Sequence, residues 1–200
     1  MAKLLIATNN PGKLREFTEI LTPHGCTIVT LKDLGITEKP PEDGETFAEN
    51  SLLKANFYWQ KSDKIDTLAE DGGLMIDALG GAPGVHTRRI DGKDRTDEDL
   101  RCIVLEKIAK VPPKKRTARL TATLTLRVGQ NLNFQAESSI EGIIKKSTLP
   151  YESGYPIRSI LWIPKLNKFF SEISIEEHHA ISHRRRAIEK LLPYLEQYVL

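Results

Sequence analysis

Apolar residues along this chain follow two spacings, and the points where one gives way to the other mark out its elements. The run Leu4-Leu5-Ile6-Ala7 reads as a short strand that breaks into the polar stretch Thr8-Asn9-Asn10-Pro11-Gly12-Lys13. Leu14, Phe17, Ile20 and Leu21 then recur at helical spacing, which predicts a helix over 14–21, ended by Pro23-His24-Gly25, and a strand at 27–30. A loop at 39–44 precedes a helix predicted over 46–61, and a strand follows at 67–70. This strand–helix–strand opening predicts an α/β fold with a mixed or parallel sheet flanked by helices.

Gly72-Gly73, Gly80-Gly81 and Pro83-Gly84 make the next stretch rich in turns. Helical spacing returns over 96–109. Alternating, β-branched segments at 117–128 and 133–144, separated by Gly129-Gln130-Asn131, predict a hairpin. Residues 157–163 read as another strand. A closing helix over 180–198 turns Ile181, Ile188, Leu191, Leu192 and Leu195 to the core, with Pro193 bending or ending its last turns. There is no internal repeat, low-complexity tract or linker, so one domain over 1–200 is expected.

Composition narrows the function classes. Two hundred residues suffice for a sizeable core. A formal net charge of +2 supplies no global field to recruit nucleic acid or an anionic membrane, so neither is an expected partner. Cys26 and Cys102 lack metal-type spacing and read as two buried thiols in a reducing compartment. Met1-Ala2-Lys3 leads directly into the first strand, and no run approaches a membrane span, so a soluble, cytoplasmic protein is expected.

Four groups of residues carry candidate chemistry. Thr8 to Lys13 enter a helix start, where backbone N–H groups and the helix dipole favour an anion and Lys13 adds a full charge. The stretch is not a P-loop, and its plain structural reading is an Asn9 or Asn10 cap followed by Pro11 and a surface lysine. Glu70 and Asp71 fall where an apolar strand meets a glycine pair, the end of a sheet strand at which open α/β sheets bind ligands. Glu42, Asp43 and Glu45 add oxygen donors of the kind Mg2+ selects. Lys54 shares a helix face with Asn50 and Ser51, and an ordinary exposed lysine is the default there. Ser182-His183-Arg184-Arg185-Arg186 opens the last helix just after His178 and His179, with Arg185 and Arg186 read as a solvated face. No Ser-His-Asp or zinc pattern is present, and metal-assisted chemistry on a phosphate is the reaction class that uses these parts together.

Taken in order, five segments resemble the Ham1/RdgB family of inosine triphosphate pyrophosphatases: Thr8-Asn9-Asn10-Pro11-Gly12-Lys13, residues 49–55, Ala69-Glu70-Asp71-Gly72-Gly73-Leu74, residues 77–85, and Ala180-Ile181-Ser182-His183-Arg184. The resemblance covers nearly the whole chain. It implies an elongated mixed sheet flanked by helices, two lobes around a central cleft and a homodimer. It also implies Mg2+-dependent hydrolysis of noncanonical purine nucleoside triphosphates, such as ITP, dITP and XTP, to the monophosphate and pyrophosphate. By the same resemblance Thr8, Asn9, Asn10, Pro11, Gly12 and Lys13 hold the phosphates and Lys54 neutralises their charge. Glu42 and Asp71 bind Mg2+, Asp71 activates water, and His183 and Arg184 meet the purine edge.

The departures from the family pattern fall in the base half. Its Phe-Gly-Tyr/Trp-Asp-Pro motif aligns with Tyr155-Pro156-Ile157-Arg158-Ser159. Tyr155 can stack on a base, but Arg158 stands where the family has an acid, and His178 where it has a lysine. Gly72 stands where it often has serine. The expectation is an active pyrophosphatase with a shifted base preference. The alternative is a nucleotide-binding module of the same fold with weakened turnover, serving as a sensor or partner.

Overall fold

The computed structural model describes residues 3–200. Seven strands form one sheet: β1 (Lys3–Ala7), β2 (Thr27–Thr30), β3 (Thr67–Ile76), β4 (Thr117–Val128), β5 (Leu132–Ile144), β6 (Leu161–Ile163) and β7 (Lys168–Phe169). Their spatial order is β2-β1-β3-β4-β5-β6-β7. The pairings of β1 with β2 and β3 are parallel, while those of β6 with β5 and β7 are antiparallel, so the sheet is mixed as the opening pattern predicts. Helices α1 (Pro11–Leu21), α2 (Phe47–Lys61), α3 (Asp97–Lys107), α4 (Ile175–Ile181) and α5 (His183–Tyr198) complete the fold.

The chain divides into two compact units. One comprises the segment ending at Asp71 together with Ala122–Ser138 and His183–Leu200; the other comprises Gly72–Thr121 and Ser139–Ser182. In the first unit β1 is buried on both faces, which is why Leu4 to Ala7 read as an uninterrupted apolar run. Side chains alternate along a strand, so Leu4, Ile6 and Leu68 join Phe17 and Leu21 of α1 and Ile188 and Leu191 of α5 in one core. Leu5, Ala7 and Ala69 join Ala55 and Tyr58 of α2 in another. Phe17 is almost fully enclosed, and its truncation to alanine is worth about 3–5 kcal/mol. The second unit packs Leu74 and Ile76 with Leu100, Val104 and Ile108, and with Ile140, Ile144, Leu161 and Phe170.

Several boundaries differ from the sequence reading, each for a local reason. Strand β3 continues through Gly72-Gly73 to Ile76. Gly73 is there for close approach: a Cβ would lie 2.3 Å from Thr87 Oγ1 and 2.7 Å from the Gly84 carbonyl oxygen. Residues 157–163 are strand only from Leu161, because Pro156 starts a short 3-10 turn, Pro156–Ser159, in which the Ser159 hydroxyl donates to the Pro156 carbonyl. The closing helix is two helices, broken at Ser182, whose backbone leaves the helical region at φ −59° and ψ 119°. The earlier one begins with a Ser174/Glu177 capping box that the apolar spacing passes over. Helix α5 runs through Pro193 to Tyr198. Cys26 is buried as expected, but Cys102 is exposed. It lies two residues from each of the buried Leu100 and Val104, about 200° away around α3. Arg185 and Arg186 are half-buried rather than solvated, and Arg186 Nε donates to Ser138 Oγ at 3.1 Å.

Candidate active site

The parallel register of β1 and β3 opens the site. Ala7 pairs with Ala69 and is the last residue of β1, so the chain turns away at Thr8 just where β3 presents Glu70 and Asp71. Both acids are buried within a strand, not at its end as the sequence reading had them. Alternation sends them to opposite faces: Glu70 follows Leu68 toward α1 and α5, and Asp71 follows Ala69 toward α2.

On the α2 face, Lys54 Nζ donates to Asp71 Oδ1 at 2.6 Å and lies 2.8 Å from Glu42 Oε1. One ammonium thus serves two carboxylates. Helix α2 carries Lys54 into place because Thr46 and Glu49 form a capping box at its start. The loop bearing Glu42 is tied to the same turn by buried Asn50, whose Oδ1 accepts from the Gly44 N–H at 2.9 Å. A Cβ on Gly44 would lie 2.8 Å from that oxygen, so the tie requires glycine. Burial pushes the Asp71 carboxyl above the ordinary aspartate value, against the pull of Lys54. Burial opposes the charge on Lys54, but Asp71 and the hydrogen bonds to Asp71 and Glu42 outweigh it and raise the ammonium.

On the other face, Arg184 Nε donates to both Glu70 oxygens at 3.0 Å, and Lys13 Nζ lies 3.4 Å from Oε1. Arg184 NH1 also donates to Glu16 Oε2 of α1 at 3.2 Å. Burial alone would raise the Glu70 carboxyl, but the charges of Arg184 and Lys13 drive it down to about 2. Burial lowers Lys13, against the charge of Glu70. The loop before α1 is ordered by Asn10, whose side-chain oxygen accepts from the N–H groups of Gly12 at 2.9 Å and Lys13 at 3.1 Å. Asn10 N–H in turn donates to Thr8 Oγ1 at 3.1 Å. The plain reading of an asparagine cap with Pro11 behind it therefore describes the local geometry. Two of the helix-start donors are already engaged, while Lys13 is drawn in to Glu70 rather than solvated.

One unit therefore brings together Thr8 to Lys13, Glu42, Lys54, Asp71, His183 and Arg184. His183 is buried at the head of α5, and its charge contributes to the lowering of Glu70. The other unit holds Gly72, Tyr155, Arg158 and His178. There the Arg158 guanidinium lies over the Tyr155 ring at 3.9 Å and over Phe170 at 5.0 Å, and His178 stacks on Phe170 at 5.6 Å. Sequence reasoning passed over Phe170, Glu16 and the structural service of Asn50. It singled out Glu70 but not its partners, which lie 114 residues away at Arg184 and on a separate helix at Lys13.

Among the described residues no group of three His, Cys, Asp or Glu side chains could hold a metal ion. Glu42 and Asp71 nevertheless converge on one cation, the Lys54 ammonium. Two carboxylates with the remaining positions left to water and phosphate is a donor set suited to Mg2+. No helix is long and apolar enough to cross a membrane among the described residues.

A dITP/XTP pyrophosphatase of Thermus thermophilus is 38% identical over 190 residues, covering 95% of this chain and 90% of that protein. The protein of the same name from Bacillus subtilis is 35% identical over 196 residues, 98% of each chain. Among solved structures, a HAM1 protein from Coxiella burnetii superposes with a TM-score of 0.86 at 29% identity, covering 98% of this chain and 100% of that one. The Staphylococcus aureus Ham1 protein does so with a TM-score of 0.83 at 29% identity, covering 98% of each. Residues 4–194 match the Ham1 family as a whole, and this chain belongs to it.

Proposed function

We propose that this chain is a Mg2+-dependent pyrophosphohydrolase that cleaves noncanonical purine nucleoside triphosphates, such as ITP, dITP and XTP, to the monophosphate and pyrophosphate. The observation that carries the reading is the convergence of Asp71 and Glu42 on a single cation, Lys54. Relatives named dITP/XTP pyrophosphatase, aligned over nearly the whole chain, support the substrate class.

In this reading Glu42 and Asp71 hold Mg2+, which when bound would polarise a phosphoryl oxygen and neutralise developing charge. Asp71 is also the acid that would orient and deprotonate the water attacking the α-phosphorus. Lys54 and Lys13 neutralise the triphosphate, and Thr8 to Gly12 shape the loop around it. Such a reaction needs in-line positioning and charge compensation more than covalent help. The donors of His183 and Arg184 favour a 6-oxo purine over adenine. Arg158 and His178, held against the buried rings of Tyr155 and Phe170, are the divergent residues proposed to alter base choice. A cytoplasmic homodimer completes the proposal.

The test is pyrophosphate release across a panel of ITP, dITP, XTP, dGTP and ATP with Mg2+, run on the wild type and on Arg158→Asp. Release from the deaminated purines above ATP is the expected result, with the ranking among bases altered by the substitution. Tight nucleotide binding with no release from any member would instead identify a binding module.

A further inference from the structure

Building on the assignment of Glu42 and Asp71 as the metal pair, we propose that Lys54 is the resident counter-cation of that pair, so that metal and nucleotide bind with positive coupling. The ammonium reaches Asp71 Oδ1 at 2.6 Å and Glu42 Oε1 at 2.8 Å, which commits two of its three donors to the oxygens a divalent ion would need. Its side chain is only 14% exposed and that of Asp71 only 12%, so water screens that contact little, while Glu42 is 41% exposed and closes the site from the solvent side.

A divalent ion entering the pair while Lys54 remained there would meet a like charge at close range, poorly screened on the Asp71 side. Free metal therefore competes with Lys54 and binds weakly. Lys13, though paired with Glu70, still acts on Asp71 as a second positive charge and so adds to the repulsion of a free divalent ion rather than relieving it. A triphosphate changes the balance because it offers the ammonium a second anion. Lysine suits the exchange: its charge is compact and sits on a flexible four-carbon stem. As Lys54 turns to phosphate it leaves the carboxylates to the metal, and linkage requires the two ligands to strengthen each other equally. The site thus favours the metal–nucleotide complex over free metal.

The experiment uses Mn2+ as the probe, followed by its electron paramagnetic resonance signal, with and without a non-hydrolysable α,β-methylene analogue of dITP. Binding is corrected for Mn2+ held by the analogue alone. In the wild type the analogue is expected to tighten Mn2+ about tenfold or more, within the usual range of coupling between sites. Lys54→Met and Lys54→Gln, checked for native near-ultraviolet circular dichroism, should each bind Mn2+ without analogue about tenfold more tightly than wild type and lose most of the coupling. Asp71→Asn should lose tight Mn2+ binding in both conditions. Mn2+ binding in both lysine variants no tighter than in the wild type overturns the proposal, as does tight binding retained by Asp71→Asn. This readout requires no turnover, so its failure is distinct from the failure of the pyrophosphatase reading, which shows as absent pyrophosphate release by the wild type.

Discussion

Glu70 and Asp71 are adjacent in the chain and opposite in circumstance. Glu70 lies on the α1/α5 face of β3 against two cations, Arg184 and Lys13, and its carboxyl is driven down to about 2. Asp71 lies on the α2 face, shares the Lys54 ammonium with Glu42, and is raised by burial against the pull of Lys54 and, more weakly, Lys13. A carboxylate saturated with positive partners holds its surroundings in place and has little basicity to offer. One that shares an ammonium with a second carboxylate is left less fully compensated. In the proposed reaction this difference fits Glu70 to architecture and Asp71 to chemistry, although the two are neighbours turned apart by strand alternation.

The comparison can be broken first at Asp71. Asp71→Asn keeps the shape and removes the charge, and it should lower the rate of pyrophosphate release by about 10²–10⁴-fold, the span of general-base catalysis, with little change in melting temperature. Glu70→Gln should do the reverse in kind. It strands Arg184 and Lys13 beside a neutral partner, a loss of about 3–5 kcal/mol in chemical denaturation typical of a broken buried pair. The pH dependence of stability sharpens the same point. Because the folded-state value of Glu70 is depressed, its contribution is fully present above the ordinary glutamate value of about 4.3 and is lost as pH falls through about 2. That contribution is about 3 kcal/mol, and an acid titration of wild type against Glu70→Gln should converge over this window.

Smaller effects separate the supports of the two faces. Asn50→Ala removes the acceptor of the Gly44 N–H and should cost about 1–3 kcal/mol while raising the metal concentration needed for activity, since Glu42 rides on that loop. Asn10→Ala and Thr46→Ala each delete a helix cap and should cost about 1 kcal/mol in thermal or denaturant unfolding.

What the sequence made legible follows the range of the interactions. The caps at Asn10 and Thr46 are local, and the helices behind them fall where apolar spacing predicts, starting a few residues early at Pro11 in the first case. The Glu70–Arg184 pair, separated by 114 residues, has no local signal beyond an acid in an apolar strand and a basic run at a helix start. The boundaries at β3 and α4 were hidden differently. Glycine in Gly72-Gly73 signals a turn, yet Gly73 serves a close backbone approach within a strand. Helix α4 has a capping box but too short an apolar stripe to register. The base half was legible only as a departure: Arg158 could be seen to replace an acid, while its seat on Tyr155 and Phe170 depends on how the second unit packs.

In the proposed reaction Asp71, and not its neighbour, is the catalytic carboxylate. Pyrophosphate release from dITP with saturating Mg2+, measured for wild type, Asp71→Asn and Glu70→Gln under conditions where all three are folded, tests it directly. Asp71→Asn is expected to fall by at least about 10²-fold in kcat, while folded Glu70→Gln retains turnover within about tenfold of wild type. An Asp71→Asn enzyme that turns over at the wild-type rate, or a folded Glu70→Gln enzyme that is the more impaired of the two, would contradict it.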